Sequence, residues 1–453
     1  MLICDYNYVF DPMVYLRRYF EKDARLSGKF VFLIDEAHNL ANRASDMYSV
    51  LLSAAQAENL RLFLKETHPA EPEKEWQHLE HYIAVLRKFK SLCRDTLCKN
   101  EAGEEQGYAL YHGALPGLSE AVSACRNWAD DWLRKHREDE AEAPMVHFLA
   151  PLRRMEAIQP FFDERFLSYV TVTGGDVSAR LICLDPSEIL YQKLSLAHAS
   201  VLFSATLTPL DYFADILGGG KKAIRIALPS PYPTEHLCLA AVTGVSVRFE
   251  DREKSIRKLV SVIAATASAK AGNYIVYFPS YDYMEKVYEA FVKKYPQVTT
   301  VLQTRGMTAE AKEAFLNSFE DDGNLRVGFC VLGGSFSEGV DLPGGRLIGA
   351  VVVGVGLPGL SDERNILRDY YETTRESGYD YAYTYPGMNR VLQAAGRVIR
   401  SENDRGIIVL ADDRWAEPRY RQLMPEHWNG IVYANDAHEL ADIALEFWEK
   451  SGI

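Results

Sequence analysis

Four short, almost wholly apolar runs in the C-terminal half of this 453-residue chain constrain its fold more than any other feature. Between them lie stretches with an apolar residue at every third or fourth position, such as 281–295, where Met284, Val287 and Phe291 share one helix face. Short apolar runs of this kind are typical of strands in a parallel sheet covered on both faces. Alternating strands and helices therefore predict an α/β domain. The runs occupy 273–280, 326–332, 346–356 and 406–412, and a further strand is predicted at 298–304.

The N-terminal half has this α/β texture at its two ends and a different one in its middle. From 44 to 160 long helical patterns replace the alternation, and no clear strand is predicted there. The simplest topology is a helical subdomain inserted into the first of two α/β domains. We therefore predict a first domain made of 1–43 and 161–225, an insertion of 44–160, and a second domain of 226–453. In this half, strands are predicted at 1–10, 30–35, 165–175, 179–186 and 200–207, and helices at 12–26 and 187–199.

Composition limits the partners and the compartment. The formal net charge is −13, so the chain as a whole repels nucleic acid, and any nucleic-acid contact has to be a local groove. Seven scattered cysteines do not form a disulfide framework and favour a reducing compartment. The N-terminus lacks the pattern of a signal peptide, and the longest apolar run is too short to span a bilayer. We expect a cytoplasmic protein without a membrane partner.

The apolar run at 30–35 ends in the tetrapeptide Asp35-Glu36-Ala37-His38. Polar residues directly after a buried strand lie at its carboxyl end, where open α/β sheets bind ligands. In nucleotide hydrolysis one such carboxylate holds Mg²⁺, usually through water, and a second orients or deprotonates the attacking water. Asp35 and Glu36 suit these two roles, and His38 can link them to neighbouring elements. The alternative is an acidic turn that follows a core strand by chance.

A second segment, FSATLTP at 203–209, also places polar groups after a predicted strand. The hydroxyls of Ser204 and Thr206 can bond a carboxylate and the backbone at once, which suits an element that couples two sites. Taken alone the segment is weak, because Ser and Thr at strand ends usually begin a turn or cap a helix.

A third segment, GGSFSEGVDLPGG at 333–345, is rich in glycine. Its glycines, Gly339 among them, permit close approach of another backbone or a ligand. Glu338 and Asp341 can accept hydrogen bonds from a ribose or from a basic partner. By itself this segment is more typical of a turn between strands.

A fourth segment, QAAGRVIR at 393–400, carries two arginines. Gln393, Arg397 and Arg400 are at helical spacing and are predicted to share one helix face, with Gly396 permitting tight approach. An arginine on one domain can contact a phosphate bound on another domain and neutralise the charge that develops in a phosphoryl-transfer transition state. A surface helix with salt bridges is the alternative for this segment alone.

Taken together and in this order, the four segments resemble motifs II, III, V and VI of superfamily 2 helicases. In detail, DEAHNL, SATLTP, SFSEGVDLPG and QAAGRVIR followed by DRGIIVLADDR are very similar to the signatures of the XPD/DinG family of iron-sulfur DNA helicases. The segment ICDYNYVFDP at 3–12 resembles the one that leads into that family's DEAH strand. The resemblance covers nearly the whole chain. It implies two RecA-like motor domains, the first incomplete, with a helical Arch-like insertion that matches by position and helical texture only.

The phosphate-binding loop of the family has no counterpart in this sequence. A search for G-x-x-x-x-G-K-[ST] finds none, because SGKF at 27–30 lacks the spacing and the hydroxyl, and GGGKK has Lys222 where Ser or Thr belongs. In the family this loop and the four iron-sulfur cysteines lie upstream of the ICDYNY segment. We therefore expect the chain to be truncated at its N-terminus relative to the family, with an iron-sulfur cluster only in the missing segment.

The resemblance implies an ATP-dependent DNA helicase or translocase that uses ATP and Mg²⁺ and moves 5′ to 3′ on single-stranded DNA in repair or replication. Asp35 would help to hold Mg²⁺, and Glu36 would position the attacking water. Arg397 and Arg400 would reach the γ-phosphate. The other ATP-site and coupling residues implied are His38, Ser204, Thr206, Glu338, Gly339, Asp341, Gln393 and Gly396.

Two other functions stay open from the sequence. The chain alone is expected to lack ATPase activity, and it could serve as an ATPase-dead module that binds DNA or a protein. The motifs contact ATP rather than the 2′-hydroxyl, so an RNA helicase also fits them. Single-stranded DNA, forked or branched duplexes and RNA-DNA hybrids are all possible substrates.

Overall fold

A computed structural model describes residues 1–20, 28–334, 336 and 342–450. These residues form two compact units, which divide near the segment 206–223. Unit 1 consists of Met1–Ala205 and Phe213–Ala223, and unit 2 of Thr206–Tyr212 and Ile224 onward. Across the described ranges, no helix combines the length and the apolar character that crossing a membrane requires.

Unit 1 contains two separate sheets and the helices that pack on them. Its strands are β1 (Val31–Ile34), β2 (Val50–Ser53), β3 (Cys98–Lys99), β4 (Glu105–Tyr111), β5 (Phe166–Thr173), β6 (Asp176–Cys183) and β7 (Ala199–Leu202). Its helices are α1 (Asn7–Phe10), α2 (Arg17–Phe20), α3 (Leu40–Met47), α4 (Ala54–Thr67), α5 (Gln77–Lys88), α6 (Leu118–Lys135), α7 (Glu142–Ile158) and α8 (Ser187–Leu194). A further helix, α9 (Leu210–Ile216), runs across the point where the units divide.

The smaller sheet of unit 1 pairs β1 with β7 in parallel, from Val31 opposite Ala199 to Ile34 opposite Leu202. The strand predicted at 30–35 is therefore confirmed, but the prediction that it is buried holds for one face only, because Val31 and Leu33 are exposed. One face of β1 packs on aromatic side chains, since the ring centroids of Phe32 and Phe20 lie 5.6 Å apart. The prediction of a strand at 1–10 is wrong, because 7–10 form the short helix α1.

The larger sheet of unit 1 is antiparallel and has the strand order β2-β6-β5-β4-β3. The prediction that 44–160 is helical throughout is therefore wrong, because β2, β3 and β4 lie inside it. The strands predicted at 165–175 and 179–186 are confirmed as β5 and β6, but they pair with β4 and β2 rather than with β1 or β7. The boundary predicted at residue 160 thus falls within the polypeptide that builds this sheet.

Unit 2 is an α/β domain around a parallel sheet with the order β10-β11-β9-β12-β13-β8-β14 among the described residues. Its strands are β8 (Leu237–Val242), β9 (Asn273–Phe278), β10 (Thr299–Leu302), β11 (Arg326–Val331), β12 (Gly349–Val353), β13 (Gly406–Ala411) and β14 (Val432–Ala434). Its helices are α10 (Arg252–Ser268), α11 (Tyr281–Lys294), α12 (Ala309–Asn317), α13 (Asp362–Arg375), α14 (Tyr385–Ala395), α15 (Pro418–Arg421) and α16 (Ala437–Lys450). The four apolar runs are confirmed as β9, β11, β12 and β13, and the strand predicted at 298–304 is confirmed as β10, whereas β8 and β14 were not predicted.

The sheet of unit 2 buries both of its faces, as near-continuous apolar strands require. Along β9, Val276 and Phe278 point into a core completed by α10, α11 and α16. Ile275 and Tyr277 point into a second core, completed by α12 and α14. This arrangement holds the carboxyl ends of the central strands in a fixed row.

Replacing Val276 with alanine is expected to lower the free energy of unfolding by about 2 to 3 kcal/mol, because it removes two methyl groups from a fully buried site. The matched control is Val432→Ala in β14, where the side chain is 45% exposed and the expected change is within about 0.5 kcal/mol. Urea unfolding of both variants measures the difference. Equal losses in the two variants would contradict the two-faced core.

Candidate functional site

The parallel pairing of β1 with β7 brings two of the sequence motifs side by side. Beyond the strands, the backbone N–H of Phe203 donates to the carbonyl oxygen of Ile34 at 3.0 Å. The N–H of Ala37 in turn donates to the carbonyl oxygen of Phe203 at 3.1 Å. The segments 35–38 and 203–204 therefore lie next to each other at the carboxyl end of this sheet.

A polar network joins the side chains of Glu36, His38 and Ser204. The Ser204 hydroxyl donates to Oε2 of Glu36 at 3.1 Å and lies 2.7 Å from Nδ1 of His38. His38 Nδ1 is also 3.3 Å from the same carboxylate oxygen. A hydroxyl has one proton and a carboxylate has none, so with the serine proton on the Glu36 bond, Nδ1 of His38 carries a proton and donates. The histidine is buried, whereas the Glu36 side chain is 61% exposed.

Asp35 lies at the mouth of the same site. Its Oδ1 accepts the backbone N–H of Glu36 at 2.8 Å, and the residue is exposed. Within the described residues, no three metal-ligating side chains cluster as a protein-only metal cage would. Mg²⁺ usually keeps several waters and takes only one or two carboxylates together with substrate phosphates. The exposed carboxylates of Asp35 and Glu36 fit that limited donor set.

The backbone at Glu36 is unusual, with φ 47° and ψ 41° in the left-handed region. Directly beside it, the hydroxyl of Tyr6 contacts the carbonyl oxygens of Asp35 and Glu36, the second at 2.9 Å. Burial, followed by the nearby carboxylates of Glu36, Asp35 and Asp5, raises the pKa of Tyr6 above its ordinary value. The sequence analysis gave Tyr6 no role, although it singled out the segment that contains it.

The residues predicted on one helix face in unit 2 do not share one. Helix α14 ends at Ala395, so Gln393 lies in its last turn, while Arg397 and Arg400 lie beyond its end. The prediction of a common helical face is therefore wrong. Gly396 follows the last helical residue, where glycine is common, and this signal was present in the sequence.

Each of the two arginines has its own local support. The Arg397 guanidinium is close enough to Tyr277 to oppose the rise in that hydroxyl's pKa, which burial drives upward. For Arg400, the backbone N–H donates to Oδ2 of the buried Asp404 at 2.7 Å. The hydroxyl of Tyr232 donates to the Arg400 carbonyl oxygen at 3.0 Å. Arg397 is half-buried and Arg400 is exposed.

The remaining predicted site residues are placed as follows. Gln393 and Thr206 are buried, and Gly396 is exposed. Thr206 groups with unit 2, whereas Ser204 of the same motif groups with unit 1. Glu338, Gly339 and Asp341 lie outside the described residues.

Comparison with known proteins finds similarity to helicases. A family profile described as a helicase C-terminal domain matches residues 263–430. A probable ATP-dependent helicase of Methanocaldococcus jannaschii is 24% identical over 478 residues, which cover 93% of this chain and 70% of the relative. The ATP-dependent DNA helicase Chl1 of Aspergillus niger is 22% identical over 462 residues, covering 87% of this chain and 52% of the relative. The chain thus spans between about half and 70% of the length of these relatives.

Among solved structures, Xpd4 of S. tokodaii matches with a TM-score of 0.62 at 15% identity, covering 95% of this chain and 81% of that one. At this identity the match supports the fold alone. The predicted fold class, α/β with RecA-like motor domains, is confirmed by this likeness and by the parallel sheets of both units.

Proposed function

We propose that this chain is part of an ATP-dependent DNA helicase of the XPD/DinG type and supplies its hydrolytic carboxylates and arginines. The observation that carries the proposal is the network of Glu36, Ser204 and His38 at the adjoining ends of β1 and β7. The Glu36 carboxylate, fixed by this network beside the exposed Asp35, can act as the general base that orients and deprotonates the water attacking a nucleotide phosphate.

Within this function the carboxylates have separate tasks. Asp35 would hold Mg²⁺ through water, and the ion, when bound, neutralises negative charge on the phosphates. Glu36 would accept a hydrogen bond from the attacking water and remove its proton. Ser204 and His38 both contact the same carboxylate oxygen of Glu36. A change in the hydrogen bonding of Glu36 during hydrolysis would therefore alter their contacts and shift the segment that follows β7.

The arginines of unit 2 would act on the same phosphates. Arg397 and Arg400 lie beyond a helix end rather than on a helix face, and Asp404 holds the backbone at Arg400. A guanidinium delivered from a second domain stabilises transition-state charge and makes hydrolysis depend on domain closure. In this proposal Thr206 takes part with His38 and Ser204 in coupling hydrolysis to domain motion. The ATP-site and coupling roles that the resemblance implies for the other predicted residues are part of the same proposal; these residues are Glu338, Gly339, Asp341, Gln393 and Gly396.

The phosphate-binding loop would come from polypeptide outside these 453 residues, because the sequence contains no G-x-x-x-x-G-K-[ST]. The sheet of β1 and β7 supports this. One of its faces exposes apolar side chains, including Leu33, which is 70% exposed, together with Val31, Val201 and Phe203. Parallel strands are normally buried on both faces and flanked by further strands. An α/β segment that carries the phosphate loop would cover this face and extend the sheet.

Leu33→Asp tests the covering of this face. In the 453-residue chain alone the change is expected to alter the free energy of unfolding by no more than about 0.5 kcal/mol, because Leu33 is exposed there. In the protein that contains the phosphate loop, the same change is expected to remove most folded, ATP-binding protein. Leu110→Asp on exposed strand β4 is the matched control and should leave ATP binding intact. Full ATP binding by the complete Leu33→Asp protein would exclude this face as the site of the loop segment.

The proposed function is tested by ATP hydrolysis of the complete gene product with and without single-stranded DNA. We expect DNA to stimulate turnover and a strand-displacement assay to show 5′ to 3′ movement. Single-stranded RNA and RNA-DNA hybrids serve as parallel substrates, and stronger stimulation by RNA would make an RNA helicase the better assignment. Forked duplexes then address a role in repair or replication.

A binding module without ATPase activity is the second candidate, and the missing phosphate loop favours it. In that case Glu36, Arg397 and Arg400 have no hydrolytic task. ATP affinity of the chain isolated from its own cell separates the two functions. Mg²⁺-dependent binding supports the helicase, and its absence together with DNA binding supports the module.

A further inference from the structure

Tyr6 makes contacts that the chemistry of the carboxylate site does not by itself require. Its hydroxyl proton is shared between two backbone acceptors, the carbonyl oxygens of Asp35 and Glu36. The Glu36 carbonyl also accepts the N–H of Asn39 at 3.0 Å. Tyr6 thus joins the N-terminal segment to both residues that carry the carboxylates.

The backbone at Glu36 needs such support. A residue other than glycine in the left-handed region costs about 1 to 2 kcal/mol, and the surrounding structure must hold it there. On one side, the N–H of Ala37 is bonded to Phe203. On the other side, the Tyr6 hydroxyl donates to the carbonyl oxygens of Asp35 and Glu36, so it holds the peptide group on each side of the Glu36 α-carbon. The direction of the Glu36 side chain depends on this turn.

The segment that contains Tyr6 is fixed by packing and hydrogen bonds to the rest of unit 1. It immediately precedes α1, where Phe10 is buried and packs against Phe32 with ring centroids 6.5 Å apart. The hydroxyl of the buried Tyr48 donates to the Phe10 carbonyl oxygen at 3.0 Å. Arg154 of α7 pairs with the buried Asp11 at 3.1 Å. The tyrosine therefore projects from an anchored segment rather than from a loose terminus.

We propose that Tyr6 is a positioning residue that holds the Asp35-Glu36 turn, and with it the Glu36 carboxylate, in the geometry for water activation. This inference rests on the proposed ATP hydrolysis. The hydroxyl acts as a hydrogen-bond donor to the two backbone carbonyls. Tyr6 does not touch the nucleotide in this role.

The test is Tyr6→Phe in the complete, ATP-hydrolysing protein. Loss of the shared hydrogen bond is expected to lower kcat about three- to tenfold, since one net hydrogen bond is removed. The KM for ATP is expected to stay within about twofold, because the phosphate contacts are unchanged. The matched control is Tyr8→Phe, two residues along the chain, whose side chain is 46% exposed and which should keep the wild-type kcat.

Two readouts separate positioning from a merely structural role. Urea midpoints and the fraction of nucleotide-binding sites should be equal in Tyr6→Phe and wild type.

The outcomes distinguish this inference from the function on which it rests. If the wild type does not hydrolyse ATP, the proposed function fails. If it does and Tyr6→Phe has an unchanged kcat, or loses activity only in proportion to lost folded protein, the positioning role of Tyr6 is wrong and the function stands.

Discussion

Replacing Glu36 with glutamine in the complete protein is expected to lower ATP turnover by a factor of about 10² to 10⁴ and to leave Mg²⁺-ATP binding within about twofold. Glutamine keeps an oxygen that can accept the Ser204 hydroxyl, so the turn and its network should survive. It cannot take a proton from water. The measurement is steady-state hydrolysis beside nucleotide binding by fluorescence or calorimetry.

The control for this prediction is Glu101→Gln, which removes one negative charge from an exposed position in the insertion. It should keep full turnover, so that a general effect of charge is excluded. Retained hydrolysis in Glu36→Gln would remove Glu36 from the catalytic role. Loss of nucleotide binding together with turnover would instead assign it to holding Mg²⁺.

Replacing Arg400 with alanine is expected to reduce turnover by about 10³ to 10⁵, the range observed when an arginine that contacts the transferred phosphate is supplied or removed. Arg400 is exposed and its backbone is held by Asp404, so the side chain can be removed without opening a core. Lysine should restore little activity, because it lacks the planar fork of donors. Single-turnover hydrolysis measures the effect on the chemical step.

Arg405→Ala is the matched control, five residues further along the same segment and half-buried. It should retain turnover near that of the wild type. If Arg400→Ala hydrolyses ATP normally, Arg397 is the arginine that contacts the transferred phosphate, and Arg397→Ala should then give the large loss. If both variants are active, the arginine role proposed for unit 2 is wrong.

The sheet of unit 2 was largely predictable, whereas in the larger sheet of unit 1 only β5 and β6 were predicted. Strands β9, β11, β12 and β13 are central, buried on both faces and therefore almost wholly apolar. By contrast, β4 has one face exposed and the other half-buried, and its sequence EQGYALY is neither wholly apolar nor a regular alternation of polar and apolar residues. Strand β2 has only four residues, which is too short for periodicity to separate it from the helices on either side.

The candidate site was predictable in its residue types but not in its geometry. Motif resemblance identified Glu36, His38 and Ser204, and only the strand register places them in contact. The left-handed backbone at Glu36 has no local signal, because glutamate is not a residue that favours it. The contact of Tyr6 with the turn spans 30 residues and depends on tertiary packing. Helix α14 ends before Arg397. Gly396 indicated this end, but the prediction followed the helical spacing of Gln393, Arg397 and Arg400 instead.

The pairing of β1 with β7 also determines when the site forms during folding. The two halves of its polar network, His38 and Ser204, are 166 residues apart in the chain, and the antiparallel sheet of unit 1 is built from the residues between them. Contacts of such sequence separation carry a large loop-closure entropy until the intervening chain is compact. The residues that form this antiparallel sheet should therefore collapse first and bring β1 and β7 together. Hydrolytic competence would then be acquired last, and a protein arrested in folding would be compact but unable to consume ATP.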